Sequence, residues 1–328
     1  MSSLFNKDTI FLINSEEAFN NVARTLFDHH VKYNATYKTF VELYSPQASP
    51  VHWSEIPCIP VSFFKTHELY THDQPPEVIF TSSGTTGTQT SQHWVAHLRD
   101  YHSICVKGFE RAFGRIQDHA FCCLLPSYLE RSGSSLIEMC QFFIRCGGGG
   151  GFYLNEFQKL MDDIQHHKTK GKKVMLIGVS FALLDLVEQQ PNKDVFKDVV
   201  VMETGGMKGR RKEITRMELH HTLSEGLGVD AVTSEYGMTE LMSQAYALTS
   251  GVFEPPPWMR LTARHVHDPR DIRPAGRPGL LNIYDLANWN SMPFIAVDDI
   301  GVVHSDGNFE VLGRYDAADV RGCNLMVL

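Results

Sequence analysis

The chain has 328 residues, 43% of them apolar, with 30 Lys and Arg against 38 Asp and Glu for a formal net charge of −8. That length buries a substantial core as one large domain or two smaller ones, and the acidic balance excludes a broad electrostatic attraction for nucleic acid or anionic membranes. Any phosphate ligand is therefore expected to be a small molecule in a local site.

The N-terminal stretch MSSLFNKDTIFLINSEEAF has no run suited to a signal peptide, and no segment approaches the length of a membrane span, so a cytoplasmic protein is expected. Residues 1–75 read as mainly helical, with SEEAFNNVARTLFDHH and TYKTFVELY showing apolar spacing near 3.6 before the proline-punctuated IPCIPVSFFKTHELY. In residues 76–252 the short apolar runs EVIF, AFCCLLP, KVMLIGVS, VVVMETGG and DAVTSEYG alternate with helical patterns such as SSLIEMCQFFIR and NEFQKLMDDIQHH. Alternation of that kind implies crossover connections and a largely parallel sheet covered by helices. The glycines from Gly147 to Gly151 read either as a close-packing turn or as a mobile loop. In residues 253–328 the helical patterns stop, and LLNIYDL, FIAVDDIGVVH and FEVLGR read as strands.

The seven cysteines (Cys58, Cys105, Cys122, Cys123, Cys140, Cys146 and Cys323) are odd in number and lack paired C-x-x-C spacing. A disulfide framework or structural zinc site is not expected. The histidine pairs His29/His30, His166/His167 and His220/His221 are expected at the surface, because adjacent helical residues point about 100° apart and do not readily share a metal.

From Thr81 to Ser91 the sequence reads TSSGTTGTQTS, in which eight of eleven residues carry a hydroxyl and Gly84 and Gly87 interrupt them. Glycines let successive backbone N–H groups converge, and hydroxyls add rotatable donors, a combination suited to phosphate. Thr88, Gln89 and Thr90 stand where a Walker loop would need its lysine, so this is not that loop. A Ser/Thr-rich surface turn remains the plain alternative. Four later stretches bear on the choice. ETGGMKGR places Gly205 and Gly206 directly after a strand, where the missing Cβ lets a flat ring lie against backbone. SEYGMTE places Tyr236, Gly237, Thr239 and Glu240 after another, joining an aromatic face, a hydroxyl and a carboxylate suited to Mg²⁺. AVDDIG sets Asp299 where it can accept from ribose hydroxyls, and GRYD supplies Arg314 as a fixed cation.

In this order SSGTTG, TGG, YGMTE, DDIG and GR resemble the core motifs of the adenylate-forming superfamily, spread from Ser82 to Arg314. The resemblance implies the large N-terminal α/β domain of such an enzyme, with a β-rich C-terminal portion. It also implies ATP and Mg²⁺ as cofactors. Ser82, Ser83, Gly84, Thr85, Thr86 and Gly87 would hold the phosphates; Gly205, Gly206, Tyr236 and Gly237 would line the adenine pocket. Thr239 would contact phosphate, Glu240 would bind the metal, and Asp299 and Arg314 would hold the ribose region. Two departures stand out: the loop lacks the Pro-Lys that usually follows it, and the sequence runs only fourteen residues past Arg314, where typical members continue into a lid domain carrying a catalytic lysine.

A single lidless adenylation domain is therefore expected over residues 1–328. IPCIPVSFFKTHEL, LLPSYLERSGSSL, GGGGGFYL and GRYDAADVRGCNL are similar to segments of the LuxE-like acyl-protein synthetases. Members of that family activate a fatty acid as acyl-AMP, then carry the acyl group on a cysteine near the C-terminus for an acyl reductase or another acceptor. Here Cys323 would be that residue. Lys65 in FFKTHE is a candidate substitute for the lid lysine, set against the reading of a solvated surface lysine. Two other functions stay open: transfer to coenzyme A or a carrier protein in trans, and a nucleotide-binding scaffold without catalysis.

Overall fold

The structure, a computed structural model, describes residues 7–82, 89–126, 133–206 and 214–315. The chain forms two compact units, one from residues 1–101, 239–243 and 254–328, the other from residues 102–238 and 244–253.

The second unit is an α/β layer. Its sheet runs in the order Gly150–Tyr153, His119–Leu124, Lys173–Val179, Val200–Thr204, Val232–Tyr236 and Ala245–Ala247; the first five strands are parallel and the last is antiparallel. Helices Ser135–Cys146, Phe157–Thr169, Ser180–Glu188 and Arg216–Leu227 supply crossovers, as the alternating sequence pattern requires. Local chemistry sets their ends. Thr215 and Glu218 form a reciprocal capping box at the start of Arg216–Leu227, and Gly228 stops that helix in the left-handed region at φ 70°. The glycine run proves to be a close-packing element. Gly150 begins its strand at φ 122°, and a Cβ there would collide with the Phe121 carbonyl on the neighbouring strand.

Adjacent strands in this sheet end on two buried acids. Thr204 and Glu235 are register partners, and the Thr204 hydroxyl donates to Glu235 Oε2. On the other sheet face Ser234 donates to Glu203 Oε1 (2.6 Å). Gly205 and Tyr236 follow directly, so the Thr204–Glu235 bond ties together the two strand ends that present them. Gly237 lies against this carboxyl, and a Cβ there would oblige the end of the Glu235 side chain to shift. Burial raises the Glu235 carboxyl from its ordinary 4.5 to about 7, the Thr204 hydrogen bond opposes the rise, and the charge of Glu203 adds to it.

The first unit begins with helices. Ser15 caps Glu16–Tyr33 by accepting from Ala18 N (3.1 Å), and Asn34 ends that helix while capping Ala35–Tyr44 by accepting from Tyr37 N (2.9 Å). His30 departs from the surface position expected of the histidine pairs. It is fully buried, with Nε2 3.1 Å from the Trp289 carbonyl, which gives the imidazole a partner away from water. EVIF departs as well. Val78–Thr81 forms an antiparallel hairpin with Gln92–Val95 instead of joining the parallel sheet, because its partner arrives after one short loop.

The rest of this unit is an antiparallel meander of Met259–Arg264, Pro278–Asp285, Phe294–Val303 and Phe309–Arg314, with Ile59–Pro60 lying parallel to Phe294–Val303. The register of Phe294–Val303 breaks twice near the site, once against Phe309–Arg314 between Ile300 and Gly301 and once against Pro278–Asp285. Leu280 pairs with Ile300 but Asn282 pairs with Ala296, which leaves Leu281 and residues 297–299 out of step. Buried Arg264 fills that break, donating from Nη1 to the Leu281 carbonyl and Asn282 Oδ1 (3.0 Å) and from Nη2 to the Val297 carbonyl (2.7 Å). The irregularity re-aims the strand just before Asp299.

Asp285, at the end of its strand, is completely buried and holds the turn at residues 239–243. It accepts from Met242 N (3.1 Å), Ser243 N (3.0 Å), Ser243 Oγ (2.7 Å) and Ala287 N (3.1 Å). Burial lifts its carboxyl to about 6 against the pull of these donors.

Asp285→Ala leaves those donors unpaired and is expected to destabilise the protein by about 3–5 kcal/mol, with Asp285→Asn costing less than half as much. Thermal unfolding of both variants reads the difference; an Asn loss equal to that of Ala would show that one acceptor oxygen does not suffice and both are required. Glu235 gives a pH signature. Its folded-state pKa lies above the ordinary value, so its stabilising contribution is full below pH 4.5 and is lost as the pH rises through about 7. Glu235→Gln stays neutral throughout, and its stability relative to wild type should climb by up to about 3 kcal/mol across that window. Urea unfolding at a series of pH values tests this, and a difference independent of pH would contradict it.

Candidate nucleotide and carboxylate site

In the first unit the expected site residues gather around Glu240. The neck of the Ser/Thr loop is closed by two hydrogen bonds, Ser82 N to the Ser91 carbonyl (3.1 Å) and Ser91 N to Ser82 Oγ (2.9 Å). The Ser91 hydroxyl in turn bonds the Glu240 side chain. Thr239 is held through its carbonyl, 2.7 Å from His93 Nδ1, and Glu240 through its own carbonyl, which accepts from Asn288 Nδ2 (2.8 Å). Asn288 Oδ1 also accepts from Met242 N (2.8 Å). The turn is thus fixed on both sides of the carboxylate.

Glu240 is only 6% exposed. Burial raises its carboxyl above the ordinary range, while the Ser91 hydroxyl, its own backbone N–H and the positive charges of Arg314 and Lys65 act in the opposite direction. Asp299 and Arg314 are register partners across neighbouring strands, and Tyr315 N donates to the Asp298 carbonyl just beyond them (2.7 Å). Arg314 is exposed and Asp299 half-buried. One unit therefore holds the loop neck, a buried carboxylate and two cations.

The second unit brings together the residues expected against adenine. Gly205 and Gly206 are exposed at the end of Val200–Thr204, and Tyr236 closes the adjacent Val232–Tyr236 strand. Tyr236 is buried, its ring 5.8 Å from that of Phe253 at 60°, and Gly237 next to it is exposed. The Ser180 hydroxyl donates to the Gly205 carbonyl (2.8 Å) and steadies the glycine turn. Ser83, Gly84, Thr85, Thr86, Gly87 and Cys323 lie outside the described residues.

Among the described residues no cluster of three or more His, Cys, Asp and Glu side chains is arranged to hold a metal. A Mg²⁺ ion in a nucleotide site needs only one or two carboxylates, because phosphates and waters complete the octahedron. Glu240 has the required chemistry: a single buried carboxylate placed beside the neck of the Ser/Thr loop.

Several supporting residues escaped the sequence reading. Ser91, His93, Asp285, Asn288 and Arg264 carry no motif of their own, and their partners are distant in sequence. Glu203 and Glu235 left a detectable trace, since each is an acid at the end of an apolar strand run, VVVME and DAVTSE. A charge in that position needs partners.

The family model described as "Acyl-protein synthetase, LuxE" matches residues 141–328. The long-chain-fatty-acid–luciferin-component ligase of Vibrio harveyi is 24% identical over 345 residues, covering 93% of this chain and 86% of that protein. Among solved structures, an open conformation of 2-hydroxyisobutyryl-CoA ligase in complex with 2-HIB-AMP and CoA superposes with a TM-score of 0.68 at 11% identity, over 92% of this chain and 75% of that one. ATP-bound MatB from Rhodopseudomonas palustris gives a TM-score of 0.54 at 17% identity over 74% of this chain, which spans about half (50%) of the MatB chain. These structures share the fold of adenylate-forming enzymes. With the family model running over more than half of its length, the chain belongs to the LuxE acyl-protein synthetase family.

Proposed function

We propose that this chain is an ATP-dependent ligase that joins a carboxylic acid to AMP, releases pyrophosphate, and then takes the acyl group onto its own Cys323 as a thioester. The observation that carries the reading is the buried Glu240 carboxylate, bonded to the neck of the Ser/Thr loop through Ser91 and subject to the positive charge of Arg314. A carboxylate is a poor electrophile because oxide is its leaving group, whereas an acyl-adenylate releases AMP. Fixed donors around the phosphates stabilise the charge that accumulates during the exchange. Mg²⁺, when bound at Glu240, supplies further neutralisation of phosphate charge. Gly205, Gly206, Tyr236 and Gly237 would seat the adenine, Thr239 a phosphate, and Asp299 the ribose. The whole of residues 1–328 would serve as one adenylation domain.

The cysteines support the second step by elimination. Burial pushes the thiols of Cys58 and Cys122 up to about 12 and that of Cys123 well above its ordinary value; Cys105 and Cys140 are buried too. The thiolate is the nucleophile, so Cys58, Cys122 and Cys123 are poor acyl acceptors, and burial keeps Cys105 and Cys140 away from a bulky adenylate. Cys146 is half-buried, and Cys323 is the residue that the family resemblance would make the acceptor. A long-chain fatty acid is the proposed substrate, in line with the name of the Vibrio harveyi relative, and an acyl reductase the proposed partner.

Wild type should catalyse carboxylate-dependent exchange of labelled pyrophosphate into ATP. Glu240→Gln, which keeps the volume and removes the charge, should slow exchange at saturating acid by about 100-fold with little change in unfolding temperature. Full exchange by that variant would remove Glu240 from its metal role. Incubation with ATP, Mg²⁺ and labelled fatty acid should label the protein in a hydroxylamine-sensitive bond. Cys323→Ser should abolish that label and leave pyrophosphate exchange intact, while Cys146→Ser should do neither. Persistence of the thioester in Cys323→Ser would move the acceptor elsewhere; acyl-coenzyme A formation without protein labelling would establish transfer in trans.

A further inference from the structure

The first unit places one more cation beside Glu240. Ile59–Pro60 pairs in parallel with Phe294–Val303, and Val61 N then donates to the Ala296 carbonyl (2.9 Å), which anchors the helical turn Phe63–Thr66. Phe64 is buried under that turn, its ring edge-on to His93 at 5.9 Å. His93 Nδ1 lies 2.7 Å from the Thr239 carbonyl; a carbonyl only accepts, so this nitrogen carries the hydrogen. One imidazole therefore braces both the residue before Lys65 and the residue before Glu240. Lys65 itself is exposed, and no hydrogen bond or ion pair to another described residue engages its ammonium. Its charge nevertheless acts on the Glu240 carboxyl, together with that of Arg314. The Ser/Thr loop, meanwhile, has Thr88, Gln89 and Thr90 and no lysine of its own.

We propose that Lys65 is a catalytic cation of the adenylation step, donating hydrogen bonds from its ammonium to the phosphate oxygens at the reacting end of ATP. The assignment rests on the adenylation function proposed above. In that step a carboxylate oxygen forms a bond to the α-phosphorus while the bond from that phosphorus to the bridging oxygen breaks, and pyrophosphate departs with the electron pair. No proton is transferred. Lys65 acts by countering negative charge as it shifts toward the leaving group, an interaction stronger in the transition state than in bound ATP.

The test compares Lys65→Met, which keeps the aliphatic stem without the charge, and Lys65→Arg with wild type. It reads pyrophosphate exchange at saturating ATP, the KM for the acid, and ATP affinity by calorimetry in the absence of acid. Lys65→Met should lose about 100-fold in exchange turnover while its affinity for ATP weakens by about tenfold or less, and Lys65→Arg should regain at least about tenfold of the lost rate. Because Lys65 is exposed, unfolding temperatures should be unchanged. Exchange by Lys65→Met within about threefold of wild type overturns the assignment. So does an Arg variant as slow as Met, a loss confined to ATP affinity, or a loss seen only as a raised KM for the acid, which would put the substrate carboxylate in place of the phosphate. The two levels separate cleanly: wild type that binds ATP but shows no exchange with any carboxylic acid sinks the adenylation reading itself, whereas active wild type with an equally active Lys65→Met sinks only the role of Lys65.

Discussion

The burial of the Glu240 carboxylate is the constraint on which the first unit is organised. An ionised carboxylate removed from water is expensive unless it is paired and hydrogen-bonded, and the surroundings of Glu240 meet that requirement in layers. The Ser91 hydroxyl bonds it directly, and Arg314 and Lys65 offer positive charge from two separate elements. Behind it, the backbone of the same turn is held by His93, Asn288 and Asp285. A turn of five residues with no regular secondary structure is thereby held by side chains on both sides. Such bracing suits the metal role proposed for Glu240, because a catalytic constellation loses its advantage when its members wander.

The same logic appears at the strand ends of the second unit. Glu203 sits two residues before Gly205 and Glu235 directly before Tyr236, on opposite faces of the sheet. Glu203 accepts from the Ser234 hydroxyl (2.6 Å) and lies 3.4 Å from the Arg216 guanidinium. Glu235 has the Thr204 hydroxyl and lies against Gly237, with no cation beside it among the causes of its raised pKa. Ligands in open parallel sheets bind at the carboxyl ends of strands, where the side-chain pairs that lock neighbouring strands also set the shape of the pocket. Gly237 leaves room beside the Glu235 carboxyl, which a side chain there would displace.

Chemistry and packing are also divided among the thiols. Cys105 and Cys140 are buried as small hydrophobic residues, and burial raises the thiols of Cys58, Cys122 and Cys123. A chain that carries an acyl group as a thioester benefits from that arrangement, since inert structural thiols do not compete for the adenylate.

The sequence by itself determined the order of the motifs, the alternation of strand and helix through the second unit, and the β-rich meander near the C-terminal end. Those features are local: hydrophobic period, capping residues and turn chemistry act within a few positions, and ETGG, SEYGMTE and DDIG each follow a strand whose pattern is legible in the sequence. Tertiary structure decided the rest. His93 meets Thr239 across 146 positions, and Asp285 meets Met242 across 43, with no motif marking either end. The EVIF run has the composition of a parallel-sheet strand, yet a partner in the next hairpin arm took it, because backbone pairing depends on which edge is within reach as well as on residue type. His30 went inside because a carbonyl from Trp289 waited there, 259 positions away. Long-range polar pairing of this kind stabilises a site by satisfying buried groups, and which groups become buried is settled only when the chain has folded.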